Sequence, residues 1–154
     1  MYEAVLIIAI VAVDQISKYA VRTMMEVGQS IDVIEGFFAL TYFSNDGAAF
    51  SSFRGQRALL VGVSAIAVVV TLIFLWINKK SPEKTHKMLT ASLILICGGG
   101  IGNLIDRVAF GAVTDMLDFT IFPPIFNVAD IAVTLGCFLL LIYVLAIEGR
   151  KKND

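Results

Sequence analysis

Asp115, Asp118 and Asp130 are the residues of this chain best suited to chemistry. Two carboxylates held in one site cannot both ionise easily, so one keeps a proton while the other is charged. That gives an acid and a base at the same pH, enough to activate water against a peptide carbonyl without a metal. Four of the eight aspartates fall between Gly98 and Asp130, beside Asn103, Arg107 and Asn127, in otherwise strongly apolar surroundings. Carboxylates near a bilayer are expensive, so a cluster of them marks a functional site by default. Asp130 pairs with Asp115 or with Asp118; spacing leaves both open. Each residue also has a plainer reading. Asp130 in a first helical turn would complement the helix dipole. Asp118 would be an exposed or capping residue, and Asp106 with Arg107 a local ion pair. Their joint location is the stronger signal.

The elements that must position these residues are membrane helices. The chain has 154 residues, of which 58% are hydrophobic and 16% charged, against about 25% charged in soluble domains. Its length suits one domain, read as a single integral-membrane unit over residues 1–154. Tyr2 to about Val21 is a first span. It lacks a basic leader region and a small-x-small cleavage site, and so reads as a retained helix. Asp14 and Lys18 lie i,i+4 on one of its faces. They either form an ion pair that orders the helix end, with Lys18 snorkelling to water, or line the site. Ala58 to Ile77 runs 20 residues without a charge and ends near Trp76, as expected of a span with an aromatic belt. Met88 to about Ile105 is a third span, whose glycines 98, 99, 100 and 102 would let neighbouring helices approach closely. Asn103, Asp106 and Arg107 share a face at its end. Val128 to Ile147 is the fourth span, opened by Asn127 as N-cap.

Two segments do not span. Arg22 to Arg57 contains β-branched and aromatic runs around Ile31, Val33 and Phe37 to Phe43, with Glu35-Gly36 as a turn, which predicts a small hairpin or sheet. Val108 to Ile125 is too polar and too broken by Pro123-Pro124 to cross, and reads as a short loop or helix. The fold class is therefore membrane α-helical, with four spans and a small extracytoplasmic sheet. Lys79, Lys80, Lys84 and Lys87 in one connector, and Arg150, Lys151 and Lys152 in the tail, fall on the same side. The positive-inside rule makes that side cytoplasmic. The polar ends of the helices then gather near the outer leaflet.

Other chemistries find little here. His86 is the only histidine, and Cys97 and Cys137 sit in apolar runs without C-x-x-C spacing. A zinc site or a Ser-His-Asp triad is not expected, nor is any metal or other cofactor. No basic footprint for nucleic acid is present.

Five motifs together resemble the lipoprotein signal peptidase (signal peptidase II) family of bacterial inner-membrane aspartyl peptidases. They are Asp14-Gln15-x-x-Lys18, Asn45-x-Gly47-Ala48-Ala49-Phe50, Gly98-Gly99-x-x-Gly102-Asn103-x-Ile105-Asp106-Arg107, Gly111-x-Val113-x-Asp115 and Phe126-Asn127-x-Ala129-Asp130. They occur in the family's order over most of the chain. The resemblance implies that Asp115 and Asp130 are the catalytic pair, choosing Asp115 over Asp118. It implies substrate contacts from Asn45, Gly47, Asn103, Arg107 and Asn127, and support from Asp14, Lys18 and Asp106. It also implies a diacylglyceryl-prolipoprotein substrate, cut just before the lipidated cysteine, membrane lipids as surroundings, and inhibition by globomycin-like cyclic peptides. Asp46 and Ile131 depart locally from the family's pattern, where smaller or neutral residues are frequent. The rival reading is a small proton- or ion-coupled transporter, since membrane carboxylates also make relays. Against it, the carboxylates lie toward one end of the spans and no inverted repeat is visible. A non-catalytic membrane subunit is the third reading.

Overall fold

The computed structural model describes residues 2–47, 55–80 and 87–148. Ala48-Ala49-Phe50 of the second motif, the connector residues Lys84 and His86, and the tail residues Arg150, Lys151 and Lys152 lie outside the described residues. Four helices carry the fold: α1 (Tyr2–Met24), α2 (Arg57–Lys80), α3 (Lys87–Ala109) and α4 (Val128–Ile142), the last prolonged by a π-helical turn at Tyr143–Glu148. Each is long and apolar enough to cross a bilayer, counting α4 through Leu145. Four strands complete it: β1 (Ser30–Ile34), β2 (Phe38–Asn45), β3 (Val113–Phe119) and β4 (Ile125–Phe126). They form one antiparallel sheet in the order β1-β2-β3-β4.

Helix α3 is the centre of the bundle, and its glycines explain how. A side chain on Gly98 would meet Ile10 of α1 at 2.9 Å, and one on Gly99 would strike the Ala129 carbonyl oxygen of α4. One on Gly100 would press on Val68 of α2 at 3.0 Å. Lipid tails are as apolar as leucine, so membrane helices associate through such close packing rather than by escaping water. A small apolar cluster of Ile7, Val68, Ile94 and Cys97 fills the space between α1, α2 and α3. Elsewhere the helices are sheathed in exposed apolar side chains, including Val63, Ile66, Phe74 and Phe138. Trp76 stands exposed near the end of α2, with the Lys80 ammonium 3.6 Å from its ring centroid.

The hairpin β1–β2 turns at the expected place. Gly36 takes φ +68°, a left-handed conformation that glycine adopts freely, and Phe37 N–H bonds Ile34 C=O at 3.0 Å. The segment expected to be a loop or helix instead contributes β3. Its N-terminal half alternates sides, with Val113 and Asp115 toward one face and Thr114 and Met116 toward the other. Backbone pairing with β2 (Phe43 opposite Asp115, Asn45 opposite Val113) overrides the polar, broken look of the sequence. The sheet closes one end of the bundle, between the C-terminal ends of α1 and α3 and the start of α4.

Candidate active site

Asp115 and Asp130 reach one cavity from different elements. Asp115 is on β3, and Asp130 is the third residue of α4. The cavity measures about 860 Å³ and also carries Asn45, Asn103 and Arg107 on its wall. Its remaining lining is mostly apolar, chiefly Phe43, Val113, Val133 and the run Phe122 to Phe126. The rings of Phe122 and Phe126 stack 5.5 Å apart across Pro123-Pro124.

Each carboxylate accepts two hydrogen bonds. Asn45 Nδ2 donates to Asp115 Oδ2 at 3.0 Å, and Asn127 Nδ2 donates to Asp115 Oδ1 at 2.6 Å. Asn103 Nδ2 donates to Asp130 Oδ1 at 2.8 Å, and the Asn127 backbone N–H donates to Asp130 Oδ2 at 3.2 Å. Asn127 therefore touches both carboxylates. The Asp115 carboxyl is pushed up to about 6, first by burial and then by the neighbouring Asp130 carboxylate. The two asparagine donors and the Lys18 charge oppose that rise.

The start of α4 is built for this arrangement. Asn127 is its N-cap and accepts the Asp130 N–H through its side chain, while Asp130 reaches back to the Asn127 N–H, a reciprocal capping box. Asp130 is thus both a cap and a cavity residue, with Oδ1 left for Asn103. The Ala129 N–H, a further orphan donor of that first turn, is taken by Asp14 Oδ1 of α1 at 2.9 Å. Only the absence of a side chain at Gly102 lets Asp14 sit there, since a Cβ would lie 2.5 Å from Asp14 Oδ2.

Behind the cavity lies a sealed ionic network. Lys18 pairs with Asp14 at 2.9 Å and Asp106 at 3.3 Å, with no solvent exposure on any of the three, and donates to Asn103 Oδ1 at 3.0 Å. Lys18 does not snorkel: its charge stays inside, balanced by two carboxylates. Gln15 ties Asp14 and Asp106 together and bonds the Gly102 carbonyl. None of Asp14, Lys18 and Asp106 lines the cavity; they hold what does.

Other expectations divide on geometry. Asn103 and Arg107 face the cavity, but Asp106 turns toward α1 and β3, since adjacent helical residues point about 100° apart. The three do not share one face, and Asp106 with Arg107 is not a local ion pair. Asn127, expected to contact substrate, is fully buried and bonds both carboxylates. Gly47 is not on the cavity wall; its carbonyl accepts from Arg107 Nη2 at 3.4 Å, while its N–H bonds Asn45 Oδ1. Arg107 Nη1 bonds the Asn103 carbonyl, and its buried Nε has no partner among the described residues. Asp118 turns away from Asp115, as residues three apart on a strand must, and accepts a bond from Thr41 at 2.8 Å. Gln15 stood in the first motif without a role, and two participants escaped the sequence reading: Arg22 and Thr114. Arg22 follows Lys18 by four residues on the same helical face, a signal that was there to read; Thr114 carries none.

A buried and a half-buried carboxylate facing one cavity in a polytopic helical bundle are the arrangement a membrane aspartic peptidase needs. The signal peptidase (SPase) II profile matches residues 6–146, and the chain belongs to that family. It is similar to the lipoprotein signal peptidase of Symbiobacterium thermophilum, at 43% identity covering 97% of this chain and 98% of that protein. The corresponding figures for the lipoprotein signal peptidase of Clostridium tetani are 36%, 97% and 96%. Among solved structures, a bacterial membrane enzyme determined by the in meso method at 2.3 Å resolution superposes with a TM-score of 0.85. It is 29% identical and is matched over 93% of its length by 99% of this chain. The chain is accordingly a multi-pass aspartic endopeptidase that processes the signal peptides of prolipoproteins, and the transporter and non-catalytic readings fall.

Proposed function

We propose that Asp115 and Asp130 perform the cleavage, with the whole chain acting as one peptidase domain, and that the bond cut lies just before a cysteine already carrying diacylglycerol. The pair shares one proton. The ionised member takes a proton from water as the water oxygen bonds to the scissile carbonyl carbon. The protonated member gives its proton to the carbonyl oxygen. As the diol collapses, one hydroxyl gives its proton to the now ionised carboxylate and the C–N bond breaks. The cysteine nitrogen takes its proton from the carboxyl that had accepted it from water, which returns the pair to one shared proton. Asn45, Asn103 and Arg107 hold the substrate backbone beside the pair, while the apolar wall receives side chains of the signal peptide. The observation that carries this reading is the bridging of a buried carboxylate, Asp115, and a half-buried one, Asp130, by Asn127 at one large, mostly apolar cavity.

The orientation follows from charge. The connector lysines and the basic tail are held in the cytoplasm, both termini are cytoplasmic, and the sheet and cavity lie at the outer leaflet of the cytoplasmic membrane. The acyl chains of the substrate then remain in the bilayer while the peptide bond reaches the carboxylates. A cyclic peptide with apolar arms, of the globomycin type, inhibits by filling the same cavity. The test is cleavage of a prolipoprotein by the purified protein in lipid, with and without prior diacylglyceryl transfer. Cleavage of the lipidated form alone is expected; equal cleavage of both would remove the lipid from the specificity.

A further inference from the structure

We infer that Arg22 and Thr114 form a clamp that aims the Asp115 carboxylate, so that both are positioning residues for catalysis. The inference rests on the reading of Asp115 as catalytic. Thr114 directly precedes Asp115 on β3, and neighbouring residues of a strand point to opposite faces. Whatever holds the Thr114 side chain toward the helices therefore holds Asp115 toward the cavity. Thr114 is held twice. Its hydroxyl accepts from Arg22 Nη1 of α1 at 3.0 Å, and its backbone N–H donates to Asp106 Oδ2 of α3 at 3.0 Å. The same Arg22 nitrogen lies 3.4 Å from Asp106 Oδ1, which closes a triangle between two helices and the strand. The guanidinium is itself fixed, packed 4.3 Å from the centroid of the Phe110 ring just beyond α3.

The clamp sits where the sheet gives least guidance. The β2–β3 register shifts between Leu40 and Phe43, next to the pair Phe43–Asp115. A strand beside such an irregularity is free to re-aim its side chains. Pairing with Ser44 of β2 and the N–H bond to Asp106 hold the backbone of Thr114, but neither holds its side chain. The hydroxyl bond to Arg22 is the second point that sets the tilt. Groups misplaced by a fraction of an ångström lose turnover without losing affinity.

Thr114→Val and Arg22→Met, made in the full-length protein in lipid, test this. Valine keeps the buried shape and removes only the hydroxyl. Each variant is expected to lower kcat about tenfold, with KM for the lipidated substrate within about twofold of the parent. Because both remove one bond, the double variant should match the slower single variant. Arg22→Lys should recover part of the loss, since an ammonium keeps the charge and one donor. Unchanged kcat in folded Thr114→Val overturns the clamp, whether or not Arg22→Met folds. So does a change confined to KM, or multiplicative losses in the double variant. Asp115→Asn run alongside separates the two ideas. If it is inactive while Thr114→Val is normal, only the clamp fails; if it is active, the reading of the site fails.

Discussion

Asn127 and Asp130 cap one another at the start of α4: Asn127 Oδ1 accepts the Asp130 N–H at 2.8 Å, and Asp130 Oδ2 accepts the Asn127 N–H at 3.2 Å. The remaining donor of Asn127 goes to Asp115. One residue therefore joins a helix cap to the second carboxylate, and stability and catalysis are coupled there. Replacing Asn127 with alanine should remove about 1 kcal/mol of stability, the ordinary value of a cap. Turnover should fall by at least about 100-fold, because Asp115 loses its Asn127 donor and the turn that carries Asp130 loses its cap. Melting in detergent and cleavage on the same preparation measure the two effects. Parallel, modest losses in both would leave Asn127 a cap and nothing more.

The carboxylate pair predicts a sharp contrast among three aspartates. Asp115→Asn and Asp130→Asn should each abolish cleavage in a folded, inserted protein, and the double variant should be little worse than either, since the two act as a unit. Asp118→Asn should retain most activity, because that side chain bonds Thr41 on the other face of the strand. A dead Asp118→Asn with an active Asp115→Asn would move the pair.

Acidity gives a third prediction. The Asp115 carboxyl titrates at about 6 in the fold, above the usual 3.8. The folded state then binds more protons than the unfolded chain between those values. The stability contributed by this group is full below about pH 4 and is lost as pH rises through about 6. The melting temperature of the parent should fall relative to Asp115→Asn across that window. Turnover should show a limb near pH 6. Asn45→Ala should shift this limb to higher pH, because the Asn45 donor holds the carboxyl down. A limb that stays in place in Asn45→Ala would detach it from Asp115.

Arg107 faces the cavity with a buried Nε that has no partner among the described residues. Arg107→Ala should lower turnover much more than thermal stability, and Arg107→Lys should restore little, since lysine lacks the planar fork of donors. Failure of Arg107→Ala to fold would make the residue structural.

Topology is tested by labelling in a background lacking Cys97 and Cys137. A cysteine at Lys80, exposed at the end of α2, should react only with reagent that reaches the cytoplasm. One at Glu35, in the β1–β2 turn, should react from outside in sealed cells. The opposite pattern would invert the molecule.

Much of this protein could be read along the chain, and the reason lies in the bilayer. A span needs about 20 apolar residues, so four helices declare themselves in Ala58 to Ile77 and its counterparts, and any charge left among them stands out. That is why Asp14, Lys18, Asp106, Arg107 and Asp130 were visible at once, whereas Asp115 was told from Asp118 only by the family resemblance. Glycine spacing likewise announced where α3 would be approached closely. Strand β3 was not legible, because its stability lies in the ladder to β2, contributed by residues some 70 positions away in sequence.

Division of labour among the polar residues was decided only by packing. Helical spacing put Asn103, Asp106 and Arg107 together, but the elements around α3 separate them: α1 and β3 take Asp106, and the cavity takes Asn103 and Arg107. Spacing could not tell whether Lys18 reaches water or stays sealed between two carboxylates, nor that Asn127 would join Asp115 to Asp130. Residue types and local periodicity establish which groups the chain must shelter from lipid. Which of them meet is set by contacts between segments distant in sequence, and those exist only once the helices and the sheet have closed on one another.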